Sequence, residues 1–145
     1  MITFYRYFLG NWTITDLESG DSGTLVITEG SCGTCHVVEY KLGEVTRTEL
    51  WGYDPTNQTW RADGFSNDGE RFTQTMLDVP EKDQPEAGDH WKDEHKGMLP
   101  TGESTYAMLD LEVESRDAYL VTVTQAHVGE TKLGTSKMRC ARVGS

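Results

Sequence analysis

The chain has 145 residues, enough for one domain and too few for two ordinary domains. Hydrophobic residues make up 36% and charged residues 26%, which is typical of a globular domain and not of a disordered chain. With 13 basic and 24 acidic residues the net charge is −11, which disfavours nucleic acid and anionic membranes as partners. From the length and the charge together we expect a single domain, 1–145, that binds neither of them.

Short strands separated by turn residues dominate the chain. Clusters of Gly, Asn, Asp and Pro recur about every 8–12 residues, the spacing typical of a β-sandwich or β-barrel. The aromatic-rich segment Met1–Leu9 is the one predicted helical turn, and we expect it to cover one end of a barrel. Ten strands are predicted after it, at residues 11–16, 24–28, 34–42, 45–53, 59–65, 71–79, 90–98, 105–114, 118–128 and 131–143.

The connections between these strands are short. Short connections favour an antiparallel meander, because parallel strands need long crossovers. A meander leaves two unpaired edges unless it closes on itself, and an up-and-down barrel removes both. The predicted fold is therefore all-β: an up-and-down antiparallel barrel of about ten strands with a short N-terminal helix.

The alternation of side chains along each strand predicts which residues point into the barrel. In the third predicted strand one face carries His36, Val38, Tyr40 and Leu42. In the ninth, one face carries Tyr119, Val121, Val123, Gln125 and His127. Large residues on such faces either fill a small barrel or line a cavity for one small ligand, and both remain open.

The first and last predicted strands carry a recognisable combination of residues. Gly10-Asn11-Trp12 opens the first strand, and Arg139 and Arg142 lie on the last. This combination resembles the calycin superfamily, which includes the lipocalins, and the middle of the chain is similar to bacterial lipocalin-like domains of uncharacterised function. The resemblance implies an internal pocket and a barrel closed by a basic residue over Trp12, a cation–π contact of roughly 0.5–2 kcal/mol.

The leading functional hypothesis is non-covalent binding of a small, largely apolar or aromatic ligand in the barrel. Burial of apolar ligand surface would supply the affinity, and a few polar groups would fix the orientation. We expect Tyr40, Trp60, Tyr119 and His127 to line the pocket, with His36 as a polar contact. A homodimer remains open.

A second hypothesis is an enzyme of the isomerase or cyclase type that uses the same cavity to shape its substrate. Asp16 shares a face with Trp12 and Ile14, and it is the acid that we expect to be catalytic in that case. By contrast, the segment His90–His95 predicts a solvated strand edge, because its two histidines face opposite ways.

A third hypothesis, a haem or metal protein, comes from the cysteines and histidines. Cys32-Gly-Thr-Cys35-His36 matches the c-type haem attachment pattern, although it precedes a strand rather than a helix. Inert thiols in a turn, a redox pair, and a metal site completed by Cys140 are the alternatives. Resemblance to nitrobindin-type barrels implies non-covalent haem held by His127. We expect no cofactor.

The beginning of the chain shows no export signal. Met1–Gly10 has one arginine and no long apolar stretch, and no apolar run approaches the ~20 residues that span a bilayer. Three cysteines, an odd number, do not form a disulfide framework. As written, the sequence predicts a cytoplasmic protein.

Overall fold

A computed structural model describes residues 5–144, which form an all-β structure. One 3-10 turn, Arg6–Phe8, precedes the strands. The strands are β1 (Gly10–Asp16), β2 (Ser22–Glu29), β3 (His36–Leu42), β4 (Val45–Asp54), β5 (Thr59–Ser66), β6 (Arg71–Leu77), β7 (His90–Met98), β8 (Ser104–Ser115), β9 (Ala118–Val128), β10 (Thr131–Lys132) and β11 (Ser136–Arg142).

The strands form one antiparallel sheet that closes on itself. From β1 to β9 each strand pairs with the next along the chain, and β11 lies between β9 and β1. The first and last long strands pair over five positions, from Trp12 opposite Arg142 to Asp16 opposite Met138. The short β10 extends the hairpin that begins with β9, so ten strands build the barrel wall. The predicted antiparallel barrel is confirmed.

Two predicted elements differ in detail. The predicted helix at Met1–Leu9 is a single 3-10 turn, and residues 1–4 of that prediction lie outside the described part of the chain. The predicted last strand, 131–143, is interrupted and becomes β10 and β11. The interruption faces a bulge in β9, where Gln125 has φ 53° and is exposed instead of facing inward.

An aromatic cluster fills the end of the barrel that the 3-10 turn covers. The Phe8 ring packs edge-on against Tyr119 at 5.3 Å and against Trp91 at 5.9 Å between ring centroids. Trp12 packs against Tyr119 at 5.0 Å. These geometries are the favourable ones for aromatic pairs, so the closed end is a packed floor.

Arg142 joins the last strand to the N-terminal turn. Its guanidinium lies 4.2 Å from the centre of the Trp12 ring and donates hydrogen bonds to the carbonyl oxygens of Tyr7, at 2.7 Å, and Leu9, at 2.8 Å. Gly10 leaves room for it: φ there is +128°, and a Cβ would lie 3.1 Å from Arg142 Nη1. Arg139 instead pairs with Glu114 at 2.9 Å in an exposed contact.

Removing the Arg142 side chain should loosen the closure. We expect Arg142→Ala to lower the free energy of unfolding by about 2–4 kcal/mol, because two backbone carbonyls lose charged hydrogen-bond donors. Urea denaturation measures the change. Arg139→Ala is the matched control, and its effect should be much smaller because its ion pair is exposed. Equal losses in the two variants would contradict the assignment of closure to Arg142.

Candidate functional site

The barrel encloses a cavity of about 360 Å³ above the aromatic floor of Phe8 and Tyr119. One half of the barrel gives it an apolar wall, whose side chains come from β1, β2, β3, β9 and β11: Ile14, Leu25, Val38, Val121 and Met138. The other half gives it a polar wall, whose side chains come from β4, β6 and β7: Arg47, Glu49, Gln74, Asp93 and His95. The cavity is therefore two-sided in its chemistry.

Strand alternation places the polar wall inside. In β7, Trp91, Asp93 and His95 occupy every second position and are buried, with 4% exposure for Asp93 and 7% for His95. The prediction of a solvated strand edge at His90–His95 is therefore wrong for the inward face. Trp91 is the sequence signal for this inward face, because Asp93 and His95 share the face of that buried tryptophan.

Asp93 lies within the cavity lining with one carboxylate oxygen unpartnered. Oδ1 is buried and makes no hydrogen bond to any residue in 5–144. Burial, and then the negative charge of Glu49, raise the pKa of Asp93 well above its usual range. The Trp91 indole opposes this shift, but it makes no well-formed hydrogen bond. The environment therefore favours a protonated carboxyl at Asp93.

His95, two residues after Asp93 in β7, forms hydrogen bonds with Glu70 and Gln74. His95 Nε2 is 3.0 Å from Glu70 Oε2, and Gln74 Nε2 is 3.1 Å from His95 Nδ1. With the Gln74 amide donating to Nδ1, the ring proton lies on Nε2 and is donated to Glu70. Burial opposes ionisation of Glu70, but hydrogen bonds from His95 and Thr105 give it a net lowered pKa.

Three of the five expected ligand-binding residues line the cavity: Tyr40, Tyr119 and His127. The Tyr40 ring lies under the guanidinium of Arg47, 4.3 Å from ring centre to Cζ. His127 stacks on Tyr106 at 5.5 Å, and its Nδ1 has no hydrogen-bond partner among the described residues.

The other expected site residues lie outside the cavity lining. Trp60 packs against Tyr53 at 5.5 Å near the closed end, and His36 is buried at the start of β3, where burial lowers its pKa. Asp16 is the last residue of β1 and begins the turn that follows. Its Oδ1 accepts hydrogen bonds from the backbone of Ser19 and Glu18, which lower its pKa.

Cys32 and Cys35 interact with each other, whereas Cys140 lies in strand β11. Cys32 is exposed in the turn before β3, Cys35 is half-buried, and Cys140 is buried in β11. Hydrogen bonds from Cys35 and then Thr34 lower the pKa of Cys32 to about 7, whereas burial raises that of Cys140 to about 11. Within residues 5–144 no three His, Cys, Asp or Glu side chains are placed to hold a metal ion.

Comparison with known protein families finds no match, and comparison with curated protein sequences finds none either. In the described part of the chain, no helix has the length and apolarity needed to cross a membrane.

Asp93 should make stability fall as pH rises. A raised pKa in the folded state means that the folded chain binds a proton more tightly, so stability is lost between the unfolded pKa and the folded one. We expect Asp93→Asn to remove this slope and to raise the free energy of unfolding at pH 8 by at least about 1 kcal/mol. Denaturation between pH 4 and pH 8 measures it.

The control for Asp93→Asn is Asp110→Asn, which changes a half-exposed carboxylate on the outer face of β8. This variant should keep the slope of the parent protein. If Asp93→Asn also kept the parent's dependence of the free energy of unfolding on pH, the raised pKa assigned to Asp93 would be wrong.

Cys32 should be the most reactive thiol. We expect iodoacetamide to alkylate Cys32 first, with a half-maximal rate near pH 7, and to leave Cys140 unmodified in the folded protein. Peptide mass mapping measures the order. Cys35→Ala should move the midpoint of Cys32 towards pH 9, because its main hydrogen bond is lost. An unchanged midpoint would contradict this assignment.

Proposed function

We propose that the protein binds a small, largely apolar molecule in the barrel cavity without a covalent bond. The cavity itself carries this proposal. Its volume of about 360 Å³ is at the lower end of ligand pockets. At ~30 Å³ for each water-sized unit, it accommodates a ligand of about a dozen non-hydrogen atoms.

The apolar wall contributes affinity, and the polar wall fixes the orientation of the ligand. Each 100 Å² of ligand surface buried on the apolar wall contributes about 2.5 kcal/mol, before the cost of immobilising the ligand. The buried polar groups opposite fix its orientation, because a wrong orientation leaves them without partners.

The closure supports a calycin-like assignment of this barrel. Gly10 and Trp12 open β1, and Arg142 lies over the Trp12 ring at 4.2 Å. We propose on this basis that the chain is a lipocalin-like domain. In that superfamily the interior of the barrel is the ligand site, which agrees with the cavity.

A second candidate is an enzyme that uses the same cavity. The observation that favours it is the opposite direction of two pKa shifts in one cavity, raised at Asp93 and lowered at Glu70. Such pairs supply an acid and a base at one pH. In that reaction Asp93, and not Asp16, would be the acid.

Filling the cavity should abolish binding. We expect native mass spectrometry of protein from its natural host to show a small added mass that is lost on denaturation. Val123→Phe, which fills the cavity from β9, should lose that mass. Thr122→Phe is the matched control: it changes the neighbouring residue, which lies outside the lining, and should retain the mass.

A calorimetric titration with 3-phenylpropan-1-ol gives the quantitative form of the test. Val123→Phe should weaken this interaction at least tenfold, whereas Thr122→Phe should change it by less than about twofold. Bare polypeptide from the host together with no binding of the alcohol or of its amine and carboxylic acid analogues would refute the proposal.

A further inference from the structure

Asp93 is a buried carboxylic acid of the polar wall, and no cationic side chain within residues 5–144 forms an ion pair with it. Its Oδ1 is unpartnered within residues 5–144, although the side chain is only 4% exposed. Glu49, also buried, accepts a hydrogen bond from Trp51 Nε1 at 2.9 Å, and its charge acts on Asp93. A buried carboxylate with an unpartnered oxygen is costly in a folded interior unless a proton or a cation occupies the site, and the negative charge of Glu49 adds to that cost.

The protein's own cations are engaged elsewhere in the cavity. The charge of Arg47 acts on Glu70 and Tyr40, and its guanidinium lies over the Tyr40 ring. His95 is held between Glu70 and Gln74. The other titratable groups in the lining are Asp68, Tyr106, Tyr119, His127 and Cys140. Of all these groups, Glu49 is the one whose charge acts on Asp93.

We propose that the cavity selects a small amine, whose ammonium group binds Asp93 and Glu49 in place of a proton and whose apolar body packs against Leu25, Val38 and Val121. This inference rests on the proposed function, because it assigns the ligand class of the same cavity. An ammonium ion donates up to three hydrogen bonds, which suits two carboxylates. The two contacts also orient the apolar body towards the opposite wall.

The charge of the whole chain supports a cationic ligand. A net charge of −11 raises the local concentration of cations at the surface and repels anions. The apolar wall still requires an uncharged body, so an inorganic cation would satisfy only half of the cavity. A compact arylalkylamine satisfies both walls.

Binding of an amine should be linked to release of a proton. The free Asp93 carboxyl favours the protonated form, and the ammonium group must displace that proton. Below the folded pKa of Asp93, the affinity for amine should therefore rise with pH, by up to tenfold per unit. The affinity for a neutral ligand should not follow this slope.

The experiment is calorimetric titration with three probes that share one body: 3-phenylpropylamine, 3-phenylpropan-1-ol and 3-phenylpropanoic acid. We expect the amine to bind at least tenfold more tightly than either other probe at pH 7. Titration in phosphate and in Tris buffer should report release of close to one proton for the amine and none for the alcohol.

Variants test which carboxylates are responsible. Asp93→Asn should lower the affinity for the amine at least tenfold more than the affinity for the alcohol, and it should abolish proton release. Glu49→Gln should also weaken amine binding and is a second route to the same conclusion. Asp110→Asn, on the outer face, should bind all three probes as the parent does. Near-ultraviolet circular dichroism checks that each variant is folded.

The outcomes separate this inference from the proposed function. If the alcohol binds as tightly as the amine, the cavity binds apolar molecules but the amine preference is refuted. If the acid binds most tightly, Arg47 is the anchor and the amine preference is again refuted. If none of the three binds and host protein carries no ligand, both proposals fail.

Discussion

Closure of the sheet between its first and last long strands is the constraint on which the rest of the structure depends. An antiparallel meander acquires an interior only when β1 and β11 pair. Arg142 stabilises this pairing, because its guanidinium lies over the Trp12 ring and donates hydrogen bonds to two carbonyl oxygens of the N-terminal segment. Without this pairing, the inner residues of every strand would lie on an open sheet with two free edges.

The interior combines two demands that oppose each other. The floor and the apolar wall supply stability through burial, whereas the polar wall places Glu49 and Asp93 in the interior, where burial raises the pKa of Asp93. A barrel built for stability alone would carry aliphatic side chains at those positions. Local conflict of this kind inside an otherwise consistent fold is typical of functional sites.

The fold was predictable because its signals are local, and the site was only partly so. Alternation and turns fix strands and faces, and they placed Tyr40, Tyr119 and His127 inward. Alternation does not determine how far along the barrel axis a residue lies, because that depends on the register between distant strands. Trp60 and His36 therefore lie outside the cavity lining, although the sequence predicts both in the pocket. Asp93 was missed because charged residues are expected on the outer face.

The two ends of the barrel differ in how firmly they are held. Aromatic packing and Arg142 fasten one end, whereas β10 at the other has two residues and pairs with β9 alone, beside the bulge at Gln125. Short, singly paired segments open at low free energy while the remainder stays folded. Amide hydrogens of Thr131 and Lys132 should therefore exchange fastest among those of the strands, while the pairing of β1 with β11 stays intact.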